Sequence, residues 1–266
     1  MAGGAAGPGG QGPDPVLVAA RAMVFVEDPS HPVLTRDDAR HLLDVLRLRP
    51  GESVVAGDGA GSWVPCRVAG PAGGRALGEL DALLVPDGDR VTATPAVPLV
   101  TVAFVPAKGD RPEWVVQKLT ELGVDRIVPV TSRRSVVRWE QDRAQRAAAR
   151  LRRVAREAAA QCRRPWLPQV DDPTTLEALE THAEPAPVLA HPGGGPPSLD
   201  HPVVAVGPEG GWTDEELEGS GGTVGLGPTV LRAETAAVVA GTILCGIRNG
   251  LIGTLAQPRS VSKTTT

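Results

Sequence analysis

Residues 99–105, LVTVAFV, form an almost unbroken apolar run. At this length it suits a parallel strand covered on both faces. Even the longer window 97–105 is far short of the ~20 apolar residues that span a bilayer. The chain beyond it repeats one rhythm. Residues 112–122 read as a helix, with Pro112 in the first turn and Gly123 at the stop. Residues 126–130 read as a strand, 138–162 as a long helical stretch, and 188–190 and 203–206 as short buried strands. A capping box from Thr213 to Glu216 opens another helix. Residues 224–226 read as a strand, and 234–249 as a final apolar helix stopped by Gly250. Strand–helix alternation of this kind predicts an α/β domain over residues 98–256.

The first third has a different grammar. Residues 1–20, rich in Gly, Ala and Pro, read as a flexible leader; with no basic n-region and no apolar h-region, it is not a secretory signal. Residues 21–89 predict a small β-rich domain of barrel type. Its strands are expected at 22–26, 53–56, 62–68 and 77–84, with turns at 57–59 and 70–74. A helix capped by Thr35, with Asp37 and Asp38 in its first turn, is ended by Pro50-Gly51. Residues 86–98 form a Pro-spaced linker. The three cysteines, Cys66, Cys162 and Cys245, are isolated from one another, so structural zinc is not expected. An odd count without a signal fits a reducing cytoplasm.

Four features point to chemistry. Gly207-Pro-Glu-Gly-Gly-Trp-Thr213 follows a buried strand and precedes a capped helix, where α/β sheets bind ligands. It matches neither a dinucleotide fingerprint nor a P-loop. In Leu226-Gly-Pro-Thr-Val-Leu-Arg-Ala-Glu-Thr-Ala236, Arg232 and Glu234 stand at the start of an apolar helix. They could face a ligand or simply pair with each other. The net charge of the chain is −4, yet residues 133–164 hold 11 Arg against three acids, a local +8. Such segregation is the footprint of polyanion binding. Lys108 and Arg111 follow a strand and are candidate phosphate contacts, whereas the helical spacing of Trp114 with Lys118 and Leu122 places Trp114 in the core. The five histidines have no metal-ligand spacing; His191, after a buried strand, could line a site.

Taken in order, these segments resemble the RsmE family. The resemblance is carried by Lys108-Gly-Asp-Arg111, Gln117-Lys118, Glu121-Leu-Gly-Val124, Ser132-Arg-Arg-Ser-Val-Val137, Gly207-Pro-Glu-Gly-Gly211 and Leu226-Gly-Pro-x-Val-Leu-Arg-x-Glu-Thr235. In the first third, His41-x-x-x-Val-Leu-Arg47 and Asp58-Gly-x-Gly61 match as well. The resemblance covers residues 21–253. It implies an N-terminal PUA-like β-barrel and a C-terminal SPOUT domain with a deep trefoil knot, a rare topology. It further implies an S-adenosylmethionine-dependent 16S ribosomal RNA (uracil-N3)-methyltransferase acting on the 30S subunit. The partners implied are that RNA and a second copy, a homodimer through the knotted domain, with neither membrane nor metal. Rival readings are a ribose 2′-O-methyltransferase of the same superfamily and a non-catalytic assembly factor.

Carried over residue by residue, the resemblance implies a cofactor pocket built from Leu189, His191, Pro192, Val206, Gly207, Pro208, Glu209, Gly210, Gly211, Leu226, Gly227 and Leu231. Arg232 and Glu234 are the implied catalytic pair, and Arg47, Lys108, Arg111, Arg133, Arg134 and Arg164 the implied RNA contacts. Thr229 stands where the family usually has a basic residue, and Arg163 where it has a small one. Uracil N3 must lose a proton before it is methylated, so a cation such as Arg232 would stabilise the anion.

Overall fold

The computed structural model describes residues 14–69, 83–136 and 141–253. The turn expected at 70–74, most of the strand at 77–84 and the start of the helical stretch at 138 lie outside these residues.

The N-terminal unit is one sheet of five strands: β1 (Ala22–Phe25), β2 (Ser53–Gly57), β3 (Ser62–Val68), β4 (Leu84–Pro86) and β5 (Val91–Thr92). β1 runs parallel to β2; β3 is antiparallel to β2, β4 and β5. The stretch expected as a linker therefore contains β5. α2 (Arg36–Arg40) is capped by the Thr35 hydroxyl, which accepts from the Asp38 amide, and it continues as one π-turn, His41–Val45. Ala39 and Leu42 bury against Val54, Val64 and Cys66. The leader reading is corrected at its end: Pro15–Ala19 is a helix, α1. Asp14 caps it, Pro15 presets its first turn, and Leu17 buries beside Trp63.

The second unit is a parallel sheet in the order β12-β10-β11-β6-β7-β8, with β9 also paired to β7. The strands are β6 (Thr101–Phe104), β7 (Arg126–Thr131), β8 (Gln169–Val170), β9 (Thr174–Thr175), β10 (Val188–Gly195), β11 (Val203–Val206) and β12 (Thr223–Val224). Side chains alternate across a strand, so a sheet covered twice needs apolar residues at every position. Val102 and Phe104 face a core made with α3 (Arg111–Leu122), α4 (Gln141–Cys162) and α7 (Ala233–Arg248). Ala103 and Val105 face the opposite core, with Leu176 and Leu179 of α5 (Leu176–His182) and Trp212, just before α6 (Asp214–Gly219). α5 follows two-residue strands and went unread in the sequence. No helix among the described residues is long and apolar enough to cross a membrane.

α4 joins the two units. Its Ala159 packs with Met23, Phe25 and Trp63. Arg156 Nη2 donates to the Phe25 carbonyl at 2.7 Å, and its guanidinium lies 5.2 Å from the Phe25 ring centroid. Beyond α4, Trp166 packs closely against Gly61. That residue has φ +93°, and a Cβ on it would overlap the indole. The Leu167 amide donates to Gly59 O at 2.9 Å, and Trp166 Nε1 to Ala93 O at 3.2 Å. The glycines of the Asp58–Gly61 turn therefore serve close packing between units.

Candidate active site

Three loops at the carboxyl ends of β10, β11 and β12 converge, where parallel sheets bind ligands. β11 ends at Val206, and the chain turns through residues 207–211. Trp212, 5% exposed, then folds back, and its Nε1 donates to the Ala190 carbonyl at 3.1 Å. A Cβ on Gly207 would stand 2.9 Å from that indole, so only glycine fits beside it. In β10 the register with β12 jumps, Ala190 and Gly195 both pairing with Val224, and residues 191–194 bulge outward. After β12, residues 225–232 run exposed or half-buried to α7. Among the described residues, the amides of 229–231 donate to no protein acceptor.

The loops enclose a cavity of about 200 Å³. Every implied cofactor residue lines it except two. Leu189 is 0% exposed and sits in the core with Trp212, because the alternation of β10 turns it away from the cavity. Gly210 faces Arg134, whose Nη1 donates to the carbonyls of Gly210 and Trp212, both at 2.9 Å. Leu189 and Gly210 therefore stand behind the wall that the other ten residues line. The wall also includes Ala190, Trp212, Thr229, Val230, Ala233 and Ala236. The sequence offered a signal for some of these: Trp212 follows the glycine loop directly, and Ala233 and Ala236 stand three apart on α7.

The charged residues do not pair as the simpler reading proposed. Glu234, in the first turn of α7, meets Arg111 rather than Arg232: Arg111 Nη1 is 3.7 Å from Glu234 Oε1 and 3.8 Å from Glu209 Oε1. The second Glu234 oxygen is buried without a hydrogen-bond partner among the described residues. Arg232 is exposed at the start of α7; its carbonyl accepts from the Ala236 amide at 2.8 Å, but among the described residues its side chain forms no ion pair or hydrogen bond.

The implied RNA residues fall into groups. Arg47 and Lys108 are exposed, and Arg47 holds φ +54° at the end of its helical segment. The Arg133 amide donates to Glu216 Oε1 at 2.8 Å, and its side chain meets Glu215 at 3.2 Å. Arg133 and Arg134 thus fasten the β7 loop to the glycine loop and the start of α6. Arg164 is a correction. Its side chain is 13% exposed, and it donates to Val124 O at 2.6 Å and to Asp125 Oδ1 at 3.0 Å. Arg248 holds the other oxygen of Asp125, and also donates to Gly123 O at 2.8 Å. Burial pulls the Arg164 pKa below its ordinary value, against the opposing pull of Asp125. Asp125 and Arg248 carry no motif and were missed. Trp114 is also corrected: it is 43% exposed, because Val115, Val116 and Leu119 supply the buried face of α3.

Comparison with known proteins agrees with this architecture. Residues 95–245 match a family model described as an RNA methyltransferase domain, and residues 34–81 one described as an RNA methyltransferase PUA domain. The ribosomal RNA small subunit methyltransferase E of Mycobacterium bovis is 35% identical over 225 residues, covering 78% of this chain and 83% of its own. The Bacillus subtilis protein of the same name is 29% identical over 232 residues, covering 78% and 86%. The Neisseria gonorrhoeae ribosomal RNA small subunit methyltransferase E, solved bound to S-adenosyl methionine, superposes with a TM-score of 0.68 at 26% identity, covering 84% and 96%. A putative methyltransferase from Legionella pneumophila, solved with bound cofactor SAM, gives 0.69 at 25% identity, also covering 84% and 96%.

Proposed function

The chain belongs to the family of ribosomal RNA small subunit methyltransferases E, and on that premise we propose that it methylates N3 of a uridine in the 16S RNA of the 30S subunit, using S-adenosylmethionine. The observation that carries the proposal is the cavity of three glycine-bearing loops with Arg232 and Glu234 at its edge.

The cavity suits an adenosine-bearing cofactor. The Ala233 and Ala236 side chains, Leu226 and Leu231 offer apolar wall for a flat base, and the unengaged amides of 229–231 can meet its polar edge. When bound, the cofactor supplies a sulfonium methyl, already activated for displacement. The remaining work falls to the protein: orienting the base and managing the N3 proton. The N3 proton leaves to water at the open edge of the cavity, Arg232 stabilises the uracil anion that remains, and Glu234, held by Arg111, fixes the geometry around it. The target base must leave its stack to reach this edge.

Several finer statements belong to the same reading. The five strands of the N-terminal unit form a PUA-like barrel. After β12 pairs outside β10, the chain returns to lay α7 against β6 and β11, the course that a trefoil knot requires. Exposed Trp114 on α3 and Leu251 beyond α7, elements that pack together, leave apolar surface for a second copy. A 30S substrate supports a cytoplasmic location for the protein.

The test is methyl transfer to undermethylated 30S subunits, followed by nucleoside analysis. The expected product is 3-methyluridine, lost in Arg232→Ala. A ribose-methylated product, absence of product, or an unaffected Arg232→Ala enzyme would each overturn its part of the proposal.

A further inference from the structure

The arginines of α4 divide into two sets. Arg152 and Arg156 are satisfied within the chain: exposed Arg152 donates to Val170 O at 2.9 Å and Asp172 at 3.0 Å, and half-buried Arg156 to Phe25 O. Arg143, Arg146, Arg150 and Arg153 are exposed and succeed one another at intervals of three, four and three residues. That spacing sets them in a single stripe along the helix. Among the described residues, the side chains of Arg143, Arg146 and Arg153 form no ion pair or hydrogen bond. Arg150 meets Glu113 Oε1 at 2.8 Å.

A solvated helix face does not favour this arrangement. Arg143–Arg146, Arg146–Arg150 and Arg150–Arg153 are like-charge neighbours on the helix surface, each unfavourable to the free helix. Arg143 also lies in its first turn, where the helix dipole opposes a cation. Bound anions would remove both penalties. The stripe also leads to the site. Glu113, which grips Arg150, stands two residues after Arg111, and Arg111 meets Glu234 at the cavity edge.

We infer that this stripe is the track for the RNA strand flanking the target nucleotide. Its ten-residue span is about 15 Å. At one phosphate per ~3.4 Å of stacked strand, the stripe runs past about five phosphates, enough to give each arginine one. Glu113 holds Arg150 so that the track meets the mouth of the cavity in register. The inference rests on the RNA-methyltransferase reading but adds to it: the stripe lies on α4, outside the residues that the family motifs mark, and it reads backbone rather than base.

The test compares the full chain with the triple variant Arg143→Ala, Arg146→Ala, Arg153→Ala. Alanine favours helix, so the fold is kept. Affinity for undermethylated 30S subunits is measured across roughly 50–200 mM salt, and S-adenosylmethionine affinity by calorimetry. The slope of log affinity against log salt should fall by about 2, at ~0.7 for each single-strand phosphate no longer neutralised. Affinity should drop at least about tenfold at physiological salt, with cofactor affinity unchanged. The corresponding triple Lys variant should retain most of the slope, since it keeps the charge. An unchanged slope overturns the track, as does a loss confined to binding of anionic lipid vesicles. A wild-type protein that shows the slope but yields no methylated nucleoside leaves the track standing and overturns the methyltransferase reading instead.

Discussion

Arg111 Nη1 lies 3.7 Å from Glu234 Oε1, a link between the start of α3 and the start of α7 that the sequence order hides. The same nitrogen is 3.8 Å from Glu209 in the glycine loop, so one guanidinium ties that loop to the first turn of α7. Both pairs are partly exposed, so they contribute little to stability, about 0–1 kcal/mol. Their value is positional. Arg111→Ala should leave the thermal midpoint nearly unchanged and lower kcat/KM for methyl transfer by about 100-fold, the effect of a ~1 Å misplacement. Arg111→Lys should fall between, lacking the planar fork. An Arg111→Ala enzyme with wild-type kcat/KM would show that the loops hold their places unaided.

Asp125 holds two guanidiniums at once, Arg164 from beyond α4 and Arg248 from the end of α7. Its Oδ2 also accepts from the Val100 amide at 2.9 Å. Removing the carboxylate leaves two inward-facing cations without their counterion. Asp125→Asn should cost about 3–5 kcal/mol of unfolding free energy, read by urea denaturation. A loss under about 1 kcal/mol would mean that the carbonyls of Thr120, Gly123 and Val124 alone compensate the arginines.

The contrast between these two residues shows what a sequence can carry. The Gly123 stop and the Thr213 capping box are local, set within one or two turns of chain, and each appears where its pattern predicts; the strand–helix rhythm holds more coarsely, without β8, β9 and α5 and with the strand expected at 224–226 lying at Thr223–Val224. The glycine loops were legible for the same reason, since Gly207 answers to a ring only five residues away. The resemblance implied an RNA contact for Arg164, yet locally nothing separates it from the exposed Arg143 and Arg146. The difference between them is a carboxylate 39 residues distant, and no local spacing encodes that. Trp114 fails similarly: helical spacing marks a stripe, but whether that stripe faces the sheet depends on which flanking residues complete the buried face.

Arg163 ends α4 at φ +58°, and the Arg164 amide donates to Ala159 O at 3.0 Å, the closing bond of a left-handed helix stop. This position favours glycine, since a side chain there is strained by about 1–2 kcal/mol. The Arg163 Nε is also buried without a partner among the described residues. Arg163→Gly removes both faults and returns part of the gain as unfolded-chain entropy, about 0.4–1 kcal/mol. The net should be a stabilisation of about 1 kcal/mol, near 2–4 °C in Tm for a chain of this size. A lower Tm would show that the Arg163 stem packs usefully.

Glu180, on α5, carries an Oε1 that is buried and unpartnered among the described residues. Burial, then the nearby carboxylates of Glu216 and Glu177, push its pKa above the ordinary 4.5. A folded-state pKa above the unfolded one means that the native protein binds this proton more readily. The ionised carboxyl therefore weakens the fold at any pH above its folded pKa, and the penalty fades as pH falls through that value toward 4.5 and below. Glu180→Gln keeps the shape and removes the charge, so it should raise Tm near neutral pH. The advantage should shrink on acidification and vanish once the wild-type carboxyl is protonated in both states. Calorimetric melts across that range decide it. A gain that persists at low pH would point to packing rather than charge, and a loss at neutral pH would mean that the Glu180 carboxylate has a favourable partner.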